Sequence, residues 1–237
     1  MDKYMNEKKS LNFDFLDKSP QKAGEQTSVP VATPEPTSVP SADRVKFFEY
    51  FKDCFTNFSE FAQKHLVTSN PKYLLLAIWI LGIGSAADRL TGSESSSWGE
   101  VWAIALFGGI LSGAIAYYIG GWFYHVRVGW SKGSGTIDTA RNIYTFSSLP
   151  ISVTAIGSLL LNHVAYGSDY FDLYYSEASS VDVIFGILSL LAIGYSIYIS
   201  YQGVKKVMHV QKGRGIFWFV VAPAIFYVLV IASALFE

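Results

Sequence analysis

Apolar residues fall along this chain in long unbroken runs, not in short alternations, and the runs predict helices that cross a membrane. Five such segments follow one another, at residues 71–90, 101–124, 142–165, 181–204 and 216–236. A helix of about 20 residues is long enough to cross the roughly 30 Å of hydrocarbon in a bilayer. The first run is the shortest, opened by Asn70-Pro71 and closed by Asp88-Arg89. It reaches across if Lys72 snorkels at one boundary and the outer-end charges Asp88 and Arg89 sit at the other. Those two charges are also placed to bond to neighbouring helices and lock the bundle.

Ahead of the runs the pattern has a different period. Over residues 41–66, Phe48, Phe51, Phe55 and Phe58 recur at three- and four-residue spacing, with Phe47 and Phe61 beside them. Most charges in this stretch fall elsewhere on the wheel, which predicts an amphipathic helix with a phenylalanine-rich face. Ser41 is suited to be its N-cap. Two placements are open: the helix lies in the membrane interface, or it packs on its own bundle. Residues 1–40 hold five of the eight prolines and the sequence TSVP twice. Such a stretch buries no core and reads as a disordered cytoplasmic leader. Its first residues lack the basic-then-apolar layout of a cleavable signal peptide.

Charge then fixes a direction. Lys64 lies ahead of the first run and Lys72 at its opening, and Arg127, Lys132 and Arg141 separate the second from the third. Lys205, Lys206, Lys212 and Arg214 separate the fourth from the fifth, whereas residues 166–180 hold acids and no base. Basic loops alternate with spans as the positive-inside rule requires. The expectation is a cytoplasmic N-terminus and a C-terminus on the far, periplasmic side of a bacterial inner membrane. Composition agrees, with 51% hydrophobic and 16% charged residues, against about a quarter charged in soluble domains. The single cysteine, Cys54, excludes an intrachain disulfide.

Inside the spans, two features go beyond bulk hydrophobicity. Gly109, Gly113, Ala116 and Gly120 share a face of the second, the small-residue pattern that lets helices approach closely. A helix-packing seam is the favoured reading and a pore-lining track the other. The third opens with Arg141 and carries a polar stripe of Asn142, Thr145, Ser148 and Ser152, with Pro150 removing one backbone donor. That stripe reads as polar glue between helices, or as a surface that touches a substrate. No nucleophile–base set, paired histidines or phosphate loop is visible, so neither an enzyme nor a cofactor or metal is expected.

The segment 70–237 resembles the Yip family, named for Ypt/Rab GTPase interaction, and specifically its bacterial members. The likeness rests on Asn70-Pro-Lys-Tyr-Leu-Leu-Leu-Ala-Ile-Trp-Ile, Gly120-Gly-Trp-Phe-Tyr, Arg141…Tyr144…Leu149-Pro150, and the basic stretch from Gly203 to Gly215. It implies five helices in a compact bundle behind a cytosolic N-terminal region. The acidic Asp-Leu-Tyr-Gly-Pro type motif of the eukaryotic relatives is not evident, so GTPase binding is not carried over. The resulting expectation is an all-α polytopic bundle of five transmembrane helices, preceded by an amphipathic interfacial helix and the leader. Its function is expected to be that of a non-enzymatic scaffold or membrane-organising protein, with a small-molecule or ion transporter using the polar stripe as the alternative. The expected partners are the lipid bilayer, a membrane or cytoplasmic protein, and a second copy of the chain; nothing points to nucleic acid.

Overall fold

A computed structural model describes residues 47–90, 97–171 and 180–235, apart from a few side chains that include Asp88 and Asp182. The leader at 1–40, the predicted N-cap Ser41 and the outer-end carboxylate of Asp88 lie outside the described residues.

The described residues are helical, with no strand among them. Three of the long helices begin where the sequence supplies a side-chain cap. Helix α3 (Pro71–Leu90) starts behind Asn70, whose side chain accepts from the Lys72 amide at 3.1 Å, with Pro71 at the first position. Helix α4 (Trp98–Trp130) starts behind Ser97, which accepts from the amide of Glu100, the spacing of a capping box. Helix α5 (Ile137–Tyr166) starts behind Thr136, which accepts from the Thr139 amide at 3.2 Å. Helices α6 (Ser180–Val207) and α7 (212–235) complete the bundle. Before them stand α1 (Phe47–Thr56) and α2 (58–66), broken apart at Asn57.

Four of these helices, α4 to α7, are long and apolar enough to cross a membrane. Their exposed faces carry Phe107, Leu111, Ile119, Ile184, Leu191 and Leu229. An all-round apolar helix surface needs a solvent that does not penalise it, and lipid is one. Helix α3, whose apolar part Pro71–Ala87 is shorter than those four, runs antiparallel to α4. Its Ile78 lies against Gly113 and its Ile83 against Gly109, while Ala87 and Leu90 share a cluster with Val101 and Ala105.

The apolar run of the second span thins out at residue 124, but α4 continues to Trp130. It then stops in a paired-bond C-cap: the Gly133 amide donates to the Val128 carbonyl and the Lys132 amide to that of Gly129. The Ser134 amide donates to Met208 and the Gln211 amide to Ser131, which ties the α4–α5 loop to the α6–α7 loop. Both basic loops therefore share one end of the bundle. Helices α1 and α2 sit at that same end, where Phe58 packs on Gly203 and the Asn142 amide donates to the Leu66 carbonyl at 3.0 Å.

The N-terminal helices pack into the bundle along a face the phenylalanine count does not single out. Tyr50, Cys54, Phe58, Phe61 and Leu66 are buried, in one cluster with Ile143, Phe146, Ile199 and Val204. Phe51 and Phe55 are half-buried, while Phe47 and Phe48 are exposed, Phe48 at 82%. The buried residues keep three- and four-residue spacing through Asn57, on a stripe rotated away from the one that Phe48, Phe51 and Phe55 mark.

Candidate functional site

The polar residues of α5 divide between two jobs. Asn142 holds the N-terminal arm, donating to Leu66 and to the Ser69 hydroxyl at 3.2 Å. Thr145 is fully buried, and its hydroxyl has no partner among the described residues. Arg141 pairs with Asp138 at 3.2 Å and lies over the Tyr118 ring. Ser148 and Ser152 donate to the carbonyls one turn back, of Tyr144 and Ser148, so their hydrogens serve the helix around Pro150. Their other side faces a cavity. Arg89, by contrast, is exposed.

Two cavities adjoin there. The larger, about 720 Å³, lies between α3, α5, α6 and α7 and is bordered by Ser148, Ser152, Asn162, Phe185 and Val230. The smaller, about 100 Å³, is bordered by Tyr124, Arg127, Ser196, Ser200 and Phe219. Tyr144, Ser148, Ile151 and Tyr227 line both. Two buried polar atoms on these walls have no hydrogen-bond partner among the described residues: Ser196 Oγ in the small part and Asn162 Oδ1 in the large part. An unsatisfied buried polar group costs about 1–3 kcal/mol, so it calls for an explanation.

Arg127 is the charge in this site, although its sequence position suggests a loop. The continuation of α4 carries it inward, one turn beyond Tyr124 on the packed face. Its Nε donates to the Trp218 carbonyl at 3.0 Å and its Nη2 donates to the same oxygen. The guanidinium lies 4.6 Å from the centre of the Phe219 ring. The ion pairs among the described residues are Lys64–Glu60 and Arg141–Asp138, and Arg127 belongs to neither. Tyr124, its neighbour, shares a 2.8 Å hydrogen bond with the Ser200 hydroxyl. The signal is present in the spacing: Gly120, Tyr124 and Arg127 fall on one helical stripe.

The glycine stripe of α4 serves two neighbours. Gly109 and Gly113 meet α3, whereas Gly120 abuts the Tyr144 ring and Gly121 abuts Arg141, both on α5. A wide, π-type turn at Ala116–Gly120 separates the two pairs and shifts the phase of the face. Ala116 lies at its start, half-buried. Gly82 and Gly84 of α3, which the sequence pattern does not mark, are equally close-packed, Gly84 against the Ser152 backbone.

At the far end, Trp102 donates to His163 Nδ1 at 3.0 Å and Trp98 stacks on the same imidazole at 4.4 Å. Among the described residues no group of His, Cys, Asp and Glu is arranged to hold a metal ion.

A helical bundle that shows lipid an apolar surface and keeps its serines, asparagines and one arginine inside is an α-helical integral membrane protein. A family model, the Yip1 domain, matches residues 52–235, and the chain belongs to that family. The match begins inside α1, ahead of the Asn70 boundary that the sequence resemblance suggests. No curated protein and no solved structure matches the chain.

Proposed function

We propose that this is a non-enzymatic five-span membrane protein that fixes its N-terminal arm at the cytoplasmic face and there organises a protein partner or the membrane itself. The observation that carries this reading is the burial of Tyr50, Cys54, Phe58 and Phe61 among core residues of α5 and α6. A helix so held gives whatever precedes Phe47 a fixed point of attachment. The fifth span is α3, whose 20 residues rise about 30 Å and lie along α4. The cytoplasmic N-terminus of this reading, in a bacterial inner membrane, is supported by the arm and both basic loops sharing one end.

Photo-crosslinking from position Leu16 in the full chain tests the function. The expected result is a discrete adduct with one protein, lost together with the cellular phenotype when residues 1–40 are deleted. A deletion that keeps the phenotype intact would sink this reading. Orientation is checked separately in a Cys54→Ala background. A membrane-impermeant maleimide is expected to label Glu237→Cys on intact cells and to spare Ser134→Cys until the membrane is opened. The reverse pattern would refute the assigned orientation.

One observation favours a second reading, passage of a small solute. The stripe residues Ser148 and Ser152 border the larger cavity. Under that reading, liposomes holding the purified chain show a flux that Ser148→Leu removes and deletion of 1–40 leaves intact. Absence of flux from the unmodified chain rules it out.

A further inference from the structure

Three side chains with hydrogen-bond donors that no described residue accepts from converge on the small cavity. A guanidinium carries five N–H groups in a planar fork, and Arg127 spends those of Nε and one of Nη2 on the Trp218 carbonyl. Its remaining N–H groups have no acceptor among the described residues. The Ser196 hydroxyl, on a residue 6% exposed, is likewise unpartnered on the same wall. The Tyr144 hydroxyl makes no hydrogen bond among the described residues, and Tyr144 lines both parts of the cavity.

A half-buried cation inside a bundle, with no carboxylate paired to it among the described residues, is costly unless something supplies the countercharge. The aromatic faces of Phe219 and Tyr124 supply part of the compensation, at 4.6 and 5.6 Å from the guanidinium carbon. They leave the fork open on its cavity side. What fits a fork, a phenol and a serine is an oxyanion, and guanidinium matches a phosphate with two parallel bonds.

The larger cavity says what the oxyanion is attached to. Its wall includes Leu81, Ile151, Ala155, Phe185, Ile193 and Val230. Ser148 and Ser152 have already given their hydrogens to α5, which lowers the polarity of the wall they share. The cavity follows α5 from Tyr144 to Asn162, a rise of about 27 Å. It leads from the end of the bundle that holds the basic loops toward the other end. A free anion would occupy only the small part and leave this length unused.

We propose that the adjoining cavities together bind one anionic phospholipid, its phosphodiester held by Arg127, Tyr144 and Ser196 and an acyl chain lying along α5 beneath Phe185 and Val230. The lipid enters with its headgroup toward the basic end, as in the leaflet on that side. This site does not rest on the arm reading, since an arm that captures no partner leaves it unaffected, and it competes with the solute reading for the larger cavity.

The test uses the full chain in detergent, with phosphatidylglycerol, phosphatidylcholine and inorganic phosphate as separate additions. Phosphatidylglycerol is expected to raise the melting temperature and to stay bound as a single molecule in native mass spectra, while the other two do neither. Arg127→Gln should weaken phosphatidylglycerol retention about tenfold or more, since it removes a charge-assisted fork. Ser196→Ala should weaken it about threefold, and Arg141→Gln, at the ion-paired neighbour, should leave it unchanged. Equal stabilisation by both lipids overturns the proposal, as does stabilisation by inorganic phosphate alone. So does full retention by a folded Arg127→Gln protein. If loss of the Trp218 contact unfolds that variant, Ser196→Ala and the three-way comparison on the unmodified chain decide.

Discussion

Gly82→Leu is expected to remove the folded protein from the membrane altogether. A Cβ at Gly82 would lie 1.8 Å from the Gly109 carbonyl oxygen and 2.5 Å from the Gly113 nitrogen. Both are backbone atoms of α4, so no side chain can swing away to make room. The contact is reciprocal, since a Cβ at Gly113 would lie 2.3 Å from the Ile78 carbonyl oxygen. Overpacking that side chains can absorb costs about 1–3 kcal/mol. Here the helices themselves must part, and that opens the cluster of Ile83, Ala87, Val101, Ala105 and Leu159 behind the seam.

Small-residue seams act through dispersion at close range, which a separation of even an ångström largely forfeits. Gly157 is the matched control, a glycine of α5 where a Cβ would meet nothing within 4 Å, and Gly157→Leu should be tolerated. Cys54 reads the outcome. It is 1% exposed in the folded chain, and burial pushes its thiol well above its usual range, so maleimide should reach it only after denaturation. A Gly82→Leu protein that purifies as a single species with Cys54 protected would contradict this account.

Deleting residues 1–66 should be nearly as damaging, whereas deleting 1–40 should leave the bundle standing. The longer deletion removes Tyr50, Phe58, Phe61 and Leu66, each 3% exposed or less. It bares Ile143, Phe146, Val204 and Met208, and it strips the Asn142 amide of its Leu66 acceptor. Truncating one large core side chain costs about 2–5 kcal/mol, and four together exceed much of the roughly 5–15 kcal/mol that holds a domain. The expected results are aggregation of the longer deletion in detergent and a melting curve close to the full chain's for the shorter. Matching melting curves would mean that the arm is not part of the core. A functional defect in a 1–66 deletion therefore reports lost folding before it reports a lost partner, and the leader is the segment to remove.

The membrane helices are legible in the sequence because the signal for them is local. A run such as Ile216–Phe236 has no charge to explain away, and Asn70-Pro71 is a cap written in two adjacent residues. What is not legible depends on partners far away in sequence. Gly82 looks like any residue of an apolar run until Gly109 lies against it. Arg127 reads as a loop charge because apolar residues thin out ahead of it. Helix α4 instead runs one more turn and puts the guanidinium beneath Trp218. The N-terminal helix is recognisable as amphipathic, but summing over its phenylalanines hides the stripe of Tyr50, Cys54, Phe58 and Phe61. Tyrosine and cysteine weigh little in such a sum. The polar stripe of α5 is visible as a stripe, while its division into backbone staples, an arm clasp and a cavity wall requires the other helices.

The docked arm also sets a timetable for synthesis. The Tyr195 hydroxyl donates to the Phe55 carbonyl, a contact between residues 140 positions apart, and Phe58 rests against Gly203. At translation rates of about 5–20 residues per second, that stretch of chain takes roughly 7–28 s to emerge. Until the end of that interval α6, which with α5 covers Tyr50, Phe58 and Phe61, is not yet complete. The first part of the protein to be made is thus among the last to be buried, and in the meantime its aromatic face is open to chaperones, to lipid headgroups and to other nascent chains.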